Sequence, residues 1–284
     1  MASDARRRAA IFAVAWRAPL LLWQGSFFIG ALGFLTVMSF WLVKNYRMEP
    51  AFVFQNWERI LARPFFWDAF WRTLGLASLG TLVISVLAFP AAYTIGLVLS
   101  PRAQRLAIFL LVIPFFTSYL VRAYAWQIIL ADRGILNFLL SWLGIPAVSM
   151  LNTPAATLVG YATLALPLVV VLQALSISSI DRRLIEAAYN LGCTRLRAIS
   201  MAIVPLARSG LIIAAVFAFI LCYGDFVAPY YLGGSLPPTL SILIVDTAKS
   251  GQQWPRSAVV AITMIGVLMA VSFVAMRLVY GRRR

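Results

Sequence analysis

Long apolar runs separated by short polar punctuation set the pattern of this chain. They extend roughly from Pro19 to Val43, Phe70 to Leu99, Leu106 to Leu130, Pro154 to Leu175, Gly210 to Leu232 and Ser257 to Tyr280. Each is near the ~20 residues that a helix needs to cross a bilayer. Six spans are therefore predicted, with both termini on the same side. The first run follows Arg6, Arg7 and Arg8 as a signal peptide would, but it is longer than the roughly 7 to 15 apolar residues of a secretory segment. It also closes with Phe40, Trp41, Leu42 and Val43, where a cleavage site would need small residues. A retained first span is expected; a peripheral first run would leave five.

The segments between runs carry their own signals. Residues 44–67 include Trp57, Phe65, Phe66 and Trp67, which suit an interfacial helix. Residues 132–151 alternate apolar residues with Gly134, Gly144 and Pro146, and the segment after Leu232 opens with GGSLPP, a loop signal.

One internal stretch breaks the pattern: DRRLIEAAYNLGCTRLRAISMAIVP, from Asp181 to Pro205. Asp181 can cap a short helix that carries Leu184, Ile185, Ala188 and Leu191 on one face. Gly192 suits the left-handed residue that ends it. Thr194 can cap a second helix with Leu196, Ile199 and Ile203 on its apolar stripe, and Pro205 stops that run or opens the next span. Two short amphipathic helices joined by a sharp turn are predicted under the membrane. An ordinary cytoplasmic loop, with Glu186 solvated or paired to Arg182 or Arg183, is the alternative.

Composition agrees with a membrane protein. The 284 residues are 62% hydrophobic, beyond what a soluble domain ordinarily carries. The 24 basic residues against 9 acidic ones give a net charge of +15, but all except Lys44 and Lys249 are arginines scattered between apolar runs. That distribution fits flanks of membrane spans and argues against nucleic acid as a partner. With a cytoplasmic N-terminus, the inner segments hold Arg6, Arg7, Arg8 and Arg17, then Arg102 and Arg105. The island supplies Arg182, Arg183, Arg195 and Arg197, Arg208 follows it, and the C-terminal end holds Arg277, Arg282, Arg283 and Arg284. Only Asp4, Asp181 and Glu186 oppose them, so the positive-inside rule predicts cytoplasmic termini and a cytoplasmic island.

Catalysis has little to work with. The chain has no histidine, and its two cysteines, Cys193 and Cys222, suggest neither a disulfide nor a metal site. No phosphate-binding G-x-x-x-x-G-K-[ST] loop is present, since neither lysine follows a glycine.

Glu186-Ala187-Ala188, then Gly192, then Pro205 resembles the EAA loop of binding-protein-dependent ABC importers. Ala202 and Val204 stand where isoleucine and leucine are usual in that family, and both remain apolar. PFFTSYLVRAYAW from Pro114 to Trp126, GDFVAPYYLGG from Gly224 to Gly234, Asn137 in GILNFLL and the Trp254-Pro255 pair resemble permeases of the spermidine/putrescine importers. The likeness covers about Trp71 to Arg277. It implies an all-α polytopic protein with the type I ABC importer permease fold. Residues 1–70 would be a tail, the first span and an outer interfacial segment; residues 71–277 the transmembrane domain, with a coupling loop at 176–209; and residues 278–284 a basic tail. It further implies an inner-membrane, multi-pass, non-catalytic subunit without a cofactor of its own. The partners would be an ATPase dimer that holds ATP and Mg2+, a second permease chain and an extracytoplasmic solute-binding protein. Glu186, Ala187, Ala188, Gly192 and Pro205 would form the ATPase contact. The solute would be a polyamine, with opines and amino-acid derivatives as alternatives because related permeases look similar.

Asp225 and Arg122 lie well inside predicted spans. They fall at similar depth if both runs are continuous helices at about 1.5 Å per residue. Asp225 with Tyr223, Tyr230, Tyr119 and Trp126 could attract an organic cation through charge and π faces. The alternatives are an Arg122–Asp225 ion pair and an Arg122 that reaches to water. Pro90, Pro114 and Pro167 fit either hinges or static kinks. A secondary transporter would need more intramembrane acids, and an intramembrane enzyme would need clustered nucleophiles and bases; neither pattern is found.

Overall fold

The structure, a computed structural model, describes Phe12 and residues 16–281. Arg6, Arg7, Arg8 and Arg282, Arg283 and Arg284 lie outside the described residues. The chain divides into two compact units, residues 1–64 with 244–263, and residues 65–243 with 264–284.

The first unit contains α1 (Trp16–Met38), long and apolar enough to cross a membrane. The span ends earlier than Val43, and a two-stranded hairpin of β1 (Leu42–Lys44) and β2 (Arg47–Glu49) follows. Asn45 and Tyr46 both take positive φ at its tip, as a tight two-residue turn requires. This hairpin is a small exception to the all-α expectation. The interfacial helix appears as α2 (Gln55–Leu61). Buried Asn56 fixes it by donating to the carbonyls of Ser39 at 3.0 Å and Trp41 at 2.7 Å.

In the second unit, α3 (Pro64–Tyr93) continues through a π segment at Thr94–Val98. The run expected from Leu106 to Leu130 is not one helix. It consists of α4 (Pro101–Val112), a 3-10 turn at Ile113–Phe116 and α5 (Tyr119–Leu130), with α6 (Ile135–Trp142) beyond. Extended backbone at Thr117 and Ser118 separates the halves, and 101–116 and 119–142 meet at 89°. Pro114 starts the disruption, because it lacks the N–H that a continuing helix would use. The count of six spans thus rests on five long helices plus this bent pair.

α7 (Pro154–Ser178) lies at the centre of the second unit. Ala156, Ala165 and Ala174 on it are fully buried, as are Ala77, Ala88 and Ala92 of α3. Small side chains are what close helix packing in lipid requires, since the hydrophobic effect does not pull helices together there. After α7 come α8 (Arg182–Asn190), α9 (Arg195–Ala198) and α10 (Val204–Gly224). The predicted run to Leu232 breaks after Gly224: Asp225 is extended, and α11 (Val227–Tyr231) begins anew. Then follow α12 (Leu240–Lys249) and α13 (Trp254–Tyr280), of which residues 244–263 belong to the first unit.

Candidate functional site

The polar island folds through its own helix ends. Asp181 caps α8 by accepting from the Arg183 N–H at 3.0 Å. Gly192 has φ +82, and two backbone bonds close the turn around it: Cys193 N–H to Ala188 O at 3.1 Å and Gly192 N–H to Tyr189 O at 2.9 Å. This is the Schellman pairing that a left-handed C′ glycine permits. Thr194 has the extended backbone of a cap, but its side chain accepts no capping bond.

The second half of the island differs from expectation. α9 does not stand alone: it runs through a π segment at Ile199–Ile203 into α10, so that residues 195–224 form one long helix. Pro205 therefore does not stop the run; the other expectation holds, that it opens the next span. It sits in the first turn of α10, just after a π segment whose last bond runs from the Val204 N–H to the Ile199 carbonyl.

The apolar stripe also faces differently. Of Leu184, Ile185, Ala188 and Leu191, only Ile185 is buried, while Leu191 is 86% and Leu196 is 79% exposed. Glu186 and Ala187 are exposed and Ala188 is half-buried. No ion pair joins Glu186 to Arg182 or Arg183; the ion pair within 4.0 Å among the described residues is Lys44–Glu49, at 3.3 Å. The island thus offers a surface with leucines turned outward.

The second polar region is the junction at Asp225. Its Oδ1 accepts from the Val227 N–H at 3.0 Å, and its Oδ2 from the Ala228 N–H at 2.9 Å and the Tyr119 hydroxyl at 2.8 Å. The side chain caps α11 and simultaneously reaches α5. Its own carbonyl accepts from the Ser241 hydroxyl of α12 at 2.9 Å. The Arg122–Asp225 ion pair is not formed. Arg122 instead donates through Nη1 to the Thr163 carbonyl of α7 at 2.7 Å, with its guanidinium 5.6 Å from the Tyr119 ring centre. The bend at Thr117 and Ser118 explains the difference, because the depth estimate assumed one straight helix.

The other expected pathway residues scatter. Tyr223 is fully buried and stacks on Phe219 at 5.3 Å. Trp126 packs against a cluster of Leu130, Ala156 and Leu232. Tyr230 is 42% exposed and stacks on Phe226 at 4.9 Å. Residues that sequence reasoning passed over include Gly160, where an added Cβ would overlap Ala228, and Tyr161, fully buried beside Asp225 with no hydrogen-bond partner for its hydroxyl among the described residues. A tyrosine in the middle of an apolar run was the available signal for Tyr161.

The architecture is that of an ABC importer permease. A subunit of a bacterial transporter for the acidic polysaccharide alginate superposes with a TM-score of 0.78 over 99% of both chains at 18% identity. The MetNI methionine transporter gives 0.59, over 78% of this chain and 99% of that one. Residues 84–284 match the family described as binding-protein-dependent transport system inner membrane component, and the chain belongs to that family. Among relatives, the spermidine/putrescine transport system permease protein PotB of Escherichia coli K12 is 30% identical over 236 residues, 81% of this chain and 85% of its own. PotB of Haemophilus influenzae is 28% identical, with 76% of each chain covered. The inner membrane ABC transporter permease protein YdcU of E. coli K12 is 26% identical over 273 residues.

Proposed function

We propose that this chain is one permease subunit of an ATP-driven polyamine importer, with ATP and Mg2+ held by a separate ATPase dimer. The observation that carries the solute class is the 30% identity to PotB along 81% of the chain. A second, different permease chain completes the pathway, and a solute-binding protein delivers the solute from outside. Both termini and the island lie on the cytoplasmic side, as the arginine distribution favours.

The ATPase contact is the island, centred on Glu186, Ala187, Ala188, Gly192 and Pro205. Its exposed Leu191 and Leu196 support this, because two large apolar side chains turned outward on a polar loop gain most by burial against a partner. The one-piece helix from Arg195 to Gly224 lets a push on the island reach the transmembrane core without a flexible joint. Along the path, the exposed Tyr230 ring offers a π face to a cationic solute.

The test is to purify the chain with its co-expressed neighbours, reconstitute the complex in liposomes and measure uptake of radiolabelled spermidine. ATP-dependent uptake that excess putrescine blocks is expected. Purification without an ATPase would overturn the coupling assignment, and uptake of an amino-acid derivative in preference to both amines would overturn the solute class.

A further inference from the structure

The second unit contains two interrupted helices, and their interruptions meet. Tyr119 is the first residue of α5, directly after the break at Thr117 and Ser118. Asp225 is the residue at which α10 ends, two before α11 starts at Val227. These positions are 106 residues apart in sequence, yet the Tyr119 hydroxyl donates to Asp225 Oδ2 at 2.8 Å. The same carboxylate caps α11, and the Tyr119 oxygen also lies 3.4 Å from the Gly160 carbonyl of α7. Gly160 is where α11 comes closest to α7, so close that a Cβ there would overlap Ala228. Asp225 itself is only 8% exposed.

We infer that Tyr119 and Asp225 form a clasp that fastens the break of the α4–α5 span to the break of the α10–α11 span, so that both interruptions move as one joint. Asp225 is thereby a positioning residue. Its two oxygens are occupied by three internal donors, which is the arrangement of a structural acceptor. Both ends of the α10 rod then have defined attachments: the island at one end, and at the other a joint that also holds α5, α7 and α12. Substitutions at the joint should lower the rate of transport and leave the apparent affinity for solute nearly untouched. The uptake part of this expectation rests on the importer reading; the clasp itself does not.

The test uses the full complex in detergent and in liposomes. Tyr119→Phe removes one oxygen on α5 and leaves the cap of α11 intact. Hydrogen exchange of the 224–231 peptide should speed up by about three- to tenfold, the range expected for one interhelical hydrogen bond in a membrane protein. Gly160→Ala, which alters neither clasp side chain but pushes α11 away from α7, should accelerate the same peptide. Unchanged exchange there in Tyr119→Phe would overturn the clasp, whatever solute is carried.

Uptake of labelled spermidine separates the roles of Asp225. Asparagine keeps an oxygen for the α11 cap and an amide that the Tyr119 hydroxyl can accept from. Asp225→Asn is therefore expected to lower the maximal rate while KM stays within about threefold. A KM raised tenfold or more, with normal assembly, would show that the carboxylate binds the cation and would overturn the positioning role. Wild-type complex that takes up no spermidine would overturn the polyamine reading, and the exchange result would still decide the clasp.

Discussion

The island at residues 181–205 and the junction at Asp225 are two polar regions of the second unit, and they differ in how far their polar groups reach for partners. In the island, the capping partners are neighbours in sequence: Asp181 caps onto Arg183, and the turn at Gly192 closes onto Tyr189 and Ala188. Its leucines Leu184, Leu191 and Leu196 are free to face outward. At the junction the Val227 and Ala228 N–H donors are equally local, but the Tyr119 hydroxyl of α5 and the Ser241 hydroxyl of α12 reach Asp225 from afar, and the residue is buried. A locally satisfied region can lose a side chain without unfolding its surroundings, whereas a region satisfied from afar cannot. Damage to the island should therefore appear in partner binding, and damage to the junction in the fold.

The largest effect is expected at the junction. Asp225→Leu leaves two backbone N–H groups and the Tyr119 hydroxyl without their acceptor, at a cost of about 3 kcal/mol or more in stability. The purified complex should melt at a clearly lower temperature or fail to assemble. In the island, Leu191→Asp combined with Leu196→Asp should leave the melting temperature of the chain within a degree or two. Recovery of the ATPase in pull-downs should fall by a factor corresponding to about 2 kcal/mol. Equal recovery would break the contrast between the regions. Gly192→Val forces a β-branched side chain into φ +82, worth about 1–2 kcal/mol of local strain. Faster proteolysis confined to the island should report it, together with weaker ATPase stimulation. The smallest change is Asp181→Ala, which removes one cap from α8 at about 1 kcal/mol. It should be visible as faster amide exchange at residues 182–185 and little else.

Much of the island was legible beforehand because its determinants are short-range. A capping aspartate and a glycine that tolerates left-handed backbone act within one or two turns, so their spacing is enough to place α8 and the turn. The orientation of its leucines was not legible. Leu184 and Leu191 fit an apolar stripe by spacing, but which neighbour covers a stripe depends on elements far away, and here only Ile185 is covered by the chain itself. Pro205 was left with two readings for a related reason: a proline in the first turn of a helix looks the same in sequence as one that ends a loop. Only the π segment before it shows how the backbone accommodated it.

The breaks in the α4–α5 and α10–α11 runs were the larger miss. Hydropathy measures how readily a segment leaves water, and both halves of a broken span are equally apolar. The consequence was the expected Arg122–Asp225 pair, which presumed two straight helices; Arg122 instead found the Thr163 carbonyl, and Asp225 found Tyr119.

The sequence by itself determined that this is a helical membrane protein with a locally folded polar island, because burial in lipid and helix capping act on each segment alone. Tertiary structure decided which leucines remained exposed, where two spans were interrupted and which group Asp225 would hold. Those outcomes depend on partners brought close from α5, α7 and α12, and no pattern along a single segment encodes the identity of a neighbour that folding alone supplies.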